Sequence, residues 1–144
     1  MPNITIRKAQ AKDVQAIHAM IKALALYEKA PDEVEVTVKE LEKDGFGPSP
    51  AYRCIVAEKD DEVVGFALYF IRYSTWKGRC VYLEDFLVNE EFRGLGIGGL
   101  LFDEMISIAK QLKVRLMTWQ VLDWNEPAIG FYKKYNAEFD GEWL

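Results

Sequence analysis

Glu84 and Asp85 are adjacent carboxylates inside the apolar run "YLEDFLV", and a few residues later the chain reads "RGLGIGG" through Arg93, Gly94, Leu95, Gly96, Ile97, Gly98 and Gly99. Two carboxylates in a strand are costly to desolvate unless a cation binds there or protons are moved. Successive strand residues face opposite sides, so only one of the pair points into a given cleft unless a bulge re-aims them. A structural match to Arg79 or Arg93 is the competing use. The glycine turn offers a different chemistry: backbone N–H groups freed at a helix N-terminus, with no Cβ to obstruct an approaching anion. Gly94, Gly96 and Gly99 satisfy G-x-G-x-x-G, but the acidic residue of a dinucleotide site, expected roughly 20 positions on, falls at Trp119. A P-loop would close on Gly-Lys-Ser/Thr, which the turn lacks. A pyrophosphate such as that of coenzyme A, held by the backbone of residues 94–99 with charge from Arg93, stays open beside a plain tight turn.

Periodicity supplies the elements that must position these groups. "ITIRKA" alternates as a strand, and Val14, Ile17, Met20 or Ile21, and Leu24 recur at helical spacing, predicting a helix over roughly 13–29. Thr37 and Glu40 form a capping box for a short helix that stops at Gly45. "AYRCIVAEK", "VVGFALYFIRY" and "CVYLEDFLV" read as three strands joined by the short links "DDE" and "STWKGR", an antiparallel meander. Ile97, Leu100, Leu101, Met105, Ile108 and Leu112 continue a helical stripe to about 112. "VRLMTWQV" is then a strand parallel to its predecessor, "PAIGFYKKY" a helix, and "AEFDGEWL" a last strand. The expected fold is α+β, a mixed, mostly antiparallel sheet flanked by helices, in a single domain over 1–144.

Composition narrows the function classes. A chain of 144 residues that is half apolar can bury one core. No apolar run approaches the ~20 residues of a membrane span, and the start lacks a secretory signal, so the expectation is a soluble, cytoplasmic protein without a membrane partner. A net charge of -5 disfavours nucleic acid as partner and suits a cationic substrate. Cys54 and Cys80 read as buried thiols, and a lone histidine, His18, makes a metal site or a Ser-His-Asp triad hard to assemble, so no metal is expected.

Arg93-Gly94-Leu95-Gly96-Ile97-Gly98 resembles the R/Q-x-x-G-x-G/A signature of the GNAT superfamily of N-acetyltransferases, and the element order matches. "RCIVAE", "YSTWKGR", "YLEDFLV" and "VLDWNEPAIGFYKKYNA" are similar to the spermidine/spermine N1-acetyltransferase group, with "YSTWKGR" and "VLDWN" closest to its thialysine-acetylating branch. The likeness spans essentially the whole chain. It implies the acyl-CoA N-acyltransferase fold and an enzyme moving acetyl from acetyl-CoA to a primary amine of a small molecule: thialysine, a diamine or a polyamine. The alternatives are a protein lysine or N-terminal amine as acceptor, or a non-catalytic acyl-CoA-binding subunit.

The resemblance also implies roles. Glu84 is base or amine anchor and Asp85 substrate electrostatics, while Tyr132 is the general acid for the leaving sulfur. The backbone of Phe86, Leu87 and Val88 pairs the pantetheine arm, and Asn125, Glu126, Pro127, Ala128 and Tyr132 complete the CoA site with residues 93–99. Tyr27, Glu28, Trp76, Thr118, Trp119 and Gln120 join Glu84 and Asp85 around the amine. Each side chain has a plainer use: Tyr132 in packing, Asn125 as a cap, Tyr27-Glu28 as a solvated helix end, Trp76 as a lid or interface anchor. Ser74 stands where the polyamine enzymes carry an acid, which favours a shorter amine. The family is typically homodimeric and continues about one strand beyond "GEWL", so a partner covers the final edge or the sequence is shortened.

Overall fold

A computed structural model describes residues 3–114 and 116–119, and in it the chain runs as strand, two helices, three strands, a helix and a strand. These are β1 (Ile4–Lys8), α1 (Val14–Tyr27), α2 (Val38–Phe46), β2 (Arg53–Lys59), β3 (Glu62–Ser74), β4 (Gly78–Val88), α3 (Ile97–Gln111) and β5 (Met117–Trp119). The strands lie in the order β1-β2-β3-β4-β5, antiparallel throughout except that β4 and β5, joined across α3, run parallel. The mixed, mostly antiparallel sheet is thus as expected. The helix "PAIGFYKKY" and the final strand lie outside the described residues.

Each face of the sheet buries one set of alternating side chains. Ile55, Ala67, Val81 and Leu83 pack beneath Ile97, Leu101, Phe102 and Met105 of α3. On the opposite face Cys54, Val56, Phe66 and Leu68 meet Val14, Ile17 and Met20 of α1 and Leu41 of α2. Burying this much branched and aromatic surface on both sides makes the central meander a rigid platform. Gly65 tightens it: a Cβ there would stand 2.9 Å from the Leu87 carbonyl oxygen and 3.2 Å from Leu101 Cδ1.

Local chemistry accounts for the ends. The Thr37 hydroxyl accepts from the Glu40 N–H at 3.1 Å while the Glu40 carboxylate accepts from the Thr37 N–H at 3.2 Å, so the capping box forms. The helix does not stop at Gly45 but continues to Phe46. Gly45 is used for its missing side chain, since Tyr52 packs where a Cβ would stand and donates its hydroxyl to the Leu41 carbonyl at 2.5 Å. The β2–β3 link turns through Asp60 and Asp61, both left-handed at φ 50° and 66°, a conformation that aspartate tolerates better than most residues.

Candidate active site

The antiparallel pairing of β3 with β4 slips at one point. Leu68 pairs with Asp85 and the next residue, Tyr69, pairs with Leu83, leaving Glu84 as the extra residue of a β-bulge. Leu83 and Phe86, three positions apart, consequently both face α3. The two carboxylates between them escape strict alternation. Asp85, opposite Leu68, lies on the α1 face; Glu84 is exposed and close enough to repel charge on both Asp85 and Tyr82. The condition under which both acids serve one cleft is met by this bulge.

Glu28, the C-cap of α1, completes an acidic group. Burial pushes the half-buried Asp85 carboxyl up to about 7, and the negative charges of Glu84 and Glu28 add to the rise. Burial also raises Glu28. Among the described residues no Arg or Lys forms an ion pair with any of the three; the salt bridges are Arg7–Asp13, Arg7–Glu58 and Lys59–Asp60. Arg93, one of the two expected structural mates, turns instead to β4, its Nε donating to the Val88 carbonyl at 3.1 Å. The carboxylates therefore await a cation that the described part of the chain does not supply.

Tyr82 and Arg72 belong to the same face, and sequence reasoning missed both. Tyr82 pairs with Phe70, ring centroids 5.3 Å apart, and the Arg72 guanidinium lies 5.8 Å from the Tyr82 ring centroid. Burial raises the Tyr82 phenol, Glu84 raises it further, and Arg72 opposes. Leu68, Phe70 and Arg72 alternate on β3, which was the available signal; the slip that aligns them with Glu84 carries no signature in composition.

Of the other expected amine residues, Tyr27 ends α1 beside Glu28 and is partly exposed. Thr118 pairs with Tyr82, and its hydroxyl oxygen is buried without a hydrogen-bond partner among the described residues. Two expected members are not brought to the carboxylates. Trp119 pairs with Leu83 and packs edge-on against Phe102 at 5.4 Å, on the α3 face, because residues adjacent on β5 alternate. Trp76, 90% exposed, sits at the end of the β3–β4 hairpin, where the Ser74 hydroxyl accepts from the Trp76 and Lys77 N–H groups at 3.2 and 3.1 Å. From Gly78 to Glu84 the strand covers about 20 Å, beyond an indole's reach. Gln120, Asn125, Glu126, Pro127, Ala128 and Tyr132 lie outside the described residues.

The glycine turn follows β4 in the chain and opens α3. A single turn over Glu90–Phe92 leads to Arg93, and then Gly94 and Gly96 adopt φ of 83° and 82°, the left-handed region where a side chain is strained. Gly96 is the N-cap of α3 and provides no capping oxygen, while Ile97 anchors the helix start in the core. Backbone N–H groups at the N-terminus of a 15-residue helix, with no Cβ over Gly94 or Gly96, form a cradle for an anion. Pairing of β4 with β3 continues through Val88, so Phe86, Leu87 and Val88 lead from the bulge toward the glycine turn.

His18 and the cysteines stand apart. His18 Nε2 donates to the Val36 carbonyl at 2.7 Å, tying α1 to the following loop. Cys54 and Cys80 are buried free thiols, and burial pushes the Cys54 thiol well above its usual range. No described helix is long and apolar enough to cross a membrane.

Known proteins resemble this chain in sequence and in fold. The model of the acetyltransferase (GNAT) family matches residues 17–137. A thialysine N-epsilon-acetyltransferase from Bos taurus is 40% identical over 96% of this chain and 86% of its own. Spermidine/spermine N(1)-acetyltransferase-like protein 1 from Homo sapiens is 37% identical over 95% of this chain, which spans 21% of that longer protein. The solved structure of an aminoglycoside N-acetyltransferase in complex with CoA superposes with a TM-score of 0.77 at 18% identity, covering 96% of this chain and 90% of that one.

Proposed function

The chain belongs to the acetyltransferase (GNAT) family, and from that premise we propose that it transfers an acetyl group to the primary amine of a small molecule, with Glu28, Glu84 and Asp85 receiving the ammonium. The observation that carries this reading is the bulge at Glu84, which gathers three carboxylates lacking any described cationic partner beside a glycine cradle. A small aliphatic amine is the cation they fit, in keeping with the acceptors named for its relatives. Acetyl-CoA, the family's acyl donor, brings an activated thioester when bound. Its pyrophosphate fits the N–H groups of residues 94–99, with Arg93 at the entrance and the backbone of Phe86 to Val88 along the arm.

Asp85 and Glu84 divide the work on the amine. The attacking nitrogen must lose a proton before it forms the new N–C bond, and an acceptor whose proton affinity lies near neutral pH suits that task. Asp85, raised to about 7, matches it, and exposed Glu84 anchors the ammonium and repels charge on Asp85. Of the two roles that the sequence left open for Glu84, base or amine anchor, this reading keeps the anchor and gives the base to Asp85, the more buried of the two acids. As the C–S bond breaks, the sulfur takes a proton from Tyr132 in this reading. The proposal further holds a single domain over 1–144, acting in the cytoplasm as a homodimer, without metal, nucleic acid or membrane.

An amine panel of thialysine, lysine, diamines and polyamines, with acetyl-CoA and thiol detection, tests it. Thiol release with at least one small amine is expected, falling by 10²-fold or more in both Asp85→Asn and Tyr132→Phe. Silence across the panel at millimolar amine refutes the small-amine reading.

A further inference from the structure

The glycine turn is pinned at both ends and open in the middle. On the side of β4, the Asn89 N–H donates to the Val64 carbonyl at 2.8 Å and the Phe92 N–H to the Asn89 carbonyl at 2.9 Å, while the half-buried Phe92 ring packs against the core beneath α3. On the side of α3, Ile97 is sunk in the same core. Between these pins Gly94, Leu95 and Gly96 are exposed, and a Cβ on either glycine would meet nothing within 4 Å among the described residues. Glycine has more backbone freedom to lose than any other residue, so the shape such a segment offers a ligand is set by its ends. Ile97 needs no help, being fully buried. Phe92 is covered by a group from outside the turn: Lys59, the last residue of β2, whose Nζ lies 5.6 Å from the ring centroid. That is within the range of a cation–π contact. Lys59 is itself aimed by the next residue, with Asp60 Oδ2 3.3 Å from Nζ at the head of the β2–β3 turn.

We propose that Lys59 is a positioning residue for the acyl donor: seated on the Phe92 ring, it holds the entrance of the glycine turn in the arrangement that receives the pyrophosphate of CoA. The inference rests on the reading of that turn as the CoA site. Lys59 acts through Phe92 and touches neither the coenzyme nor the amine. An ordering cost met in the free protein returns as tighter binding of the ligand, not as faster chemistry, so the contribution of Lys59 belongs to donor affinity. Its magnitude is that of one partly exposed cation–π contact, about two- to fivefold in a dissociation constant. The strand that carries Lys59 is separated from β4 by β3, so the amine carboxylates on β4 lie outside its influence.

The test is a double-mutant cycle on the purified full chain: Lys59→Met, which keeps the length and loses the charge, Phe92→Leu, which keeps an apolar pin and loses the ring face, and the two together, with Lys59→Arg as the conservative variant. Each is titrated with CoA alone by calorimetry, and thiol release with thialysine gives KM for acetyl-CoA and for the amine. In Lys59→Met the Kd of CoA and the KM of acetyl-CoA should rise about two- to fivefold, with kcat and the amine KM held. Lys59→Arg should restore the parent values, because a guanidinium also seats on an aromatic face. Once Phe92 is leucine, Lys59→Met should cost nothing further. An unchanged Kd in Lys59→Met, a full Lys59→Met loss in the Phe92→Leu background, or a parallel loss in the amine KM overturns the assignment of Lys59 and leaves the CoA reading standing. The second of these results would mean that the charge acts on the phosphates directly. Absence of CoA binding by the unaltered chain overturns both.

Discussion

Two acidic groups of this protein are built from similar parts and titrate in opposite directions. At one end of the sheet Asp13, 4% exposed, accepts two hydrogen bonds from Arg7 at 2.8 and 3.0 Å and one from the Gln10 N–H at 2.7 Å. Burial alone would raise its pKa, but the Arg7 and Gln10 hydrogen bonds and nearby positive charge hold it below the usual carboxylate range. Arg7 also reaches Glu58 at 3.1 Å, and the two acids push the guanidinium higher still. Asp85, half-buried near Glu84 and Glu28, has no such partner among the described residues, and it rises to about 7. The contrast separates a carboxylate satisfied by its own chain from one left for a ligand. The first stabilises the fold, and in the proposed function the second carries a charge that a bound amine would offset.

Removing the internal partner should have the largest effect. Arg7→Met strands Asp13 as a buried charge, and the expected cost is roughly 3 kcal/mol at pH 7 by urea unfolding. Because Asp13 is depressed in the fold, its contribution is present above its unfolded value of 3.8 and is lost as pH falls through the folded pKa, so the defect should shrink in acid. Asp85 has the opposite sign. Its folded pKa lies above the unfolded 3.8, so the free protein loses stability as pH rises from about 4 through 7. Asp85→Asn, which mimics the protonated acid, should stabilise the amine-free protein by about 2 kcal/mol at pH 8 and by nothing measurable at pH 4, while lowering turnover. Equal stability changes at the two pH values would remove the distinction between the clusters.

Amine affinity should sharpen the same comparison. An ammonium binds the ionised carboxylate best, so KM for the amine should rise as pH falls below 7, and the slope should flatten in Asp85→Asn. The smallest effect belongs to Glu28→Gln. Glu28 is the last-ranked contributor to the rise of Asp85, so its loss should move the Asp85 titration downward by less than Glu84→Gln does.

The unequal legibility of the sequence follows from where the information resides. The meander, the crossover helix and the glycine turn were visible because strand alternation, helical spacing and left-handed glycines are local in the chain. Glu84 and Asp85 were visible as costly residues in an apolar strand. Their grouping was not, because it depends on a one-residue slip against β3 that composition does not encode. The same slip hid Tyr82 and Arg72, whereas Trp119 stands on the α3 face because adjacent residues of β5 alternate. Trp76 stands apart from the carboxylates for a different reason: its motif lies close to them in sequence, yet an extended hairpin carries it away. Gly45 read as a stop because helix propensity was considered without the Tyr52 ring that occupies its missing Cβ.

The most direct measurement is the carboxyl carbon titration of Asp85 by NMR, with Asp13 as internal reference in the same sample. The account predicts a midpoint near 7 for Asp85 in the amine-free protein, moving downward on addition of a saturating small amine, while Asp13 stays below the usual carboxylate range throughout. An Asp85 midpoint near 4 without ligand, or one that an amine does not move, would contradict it.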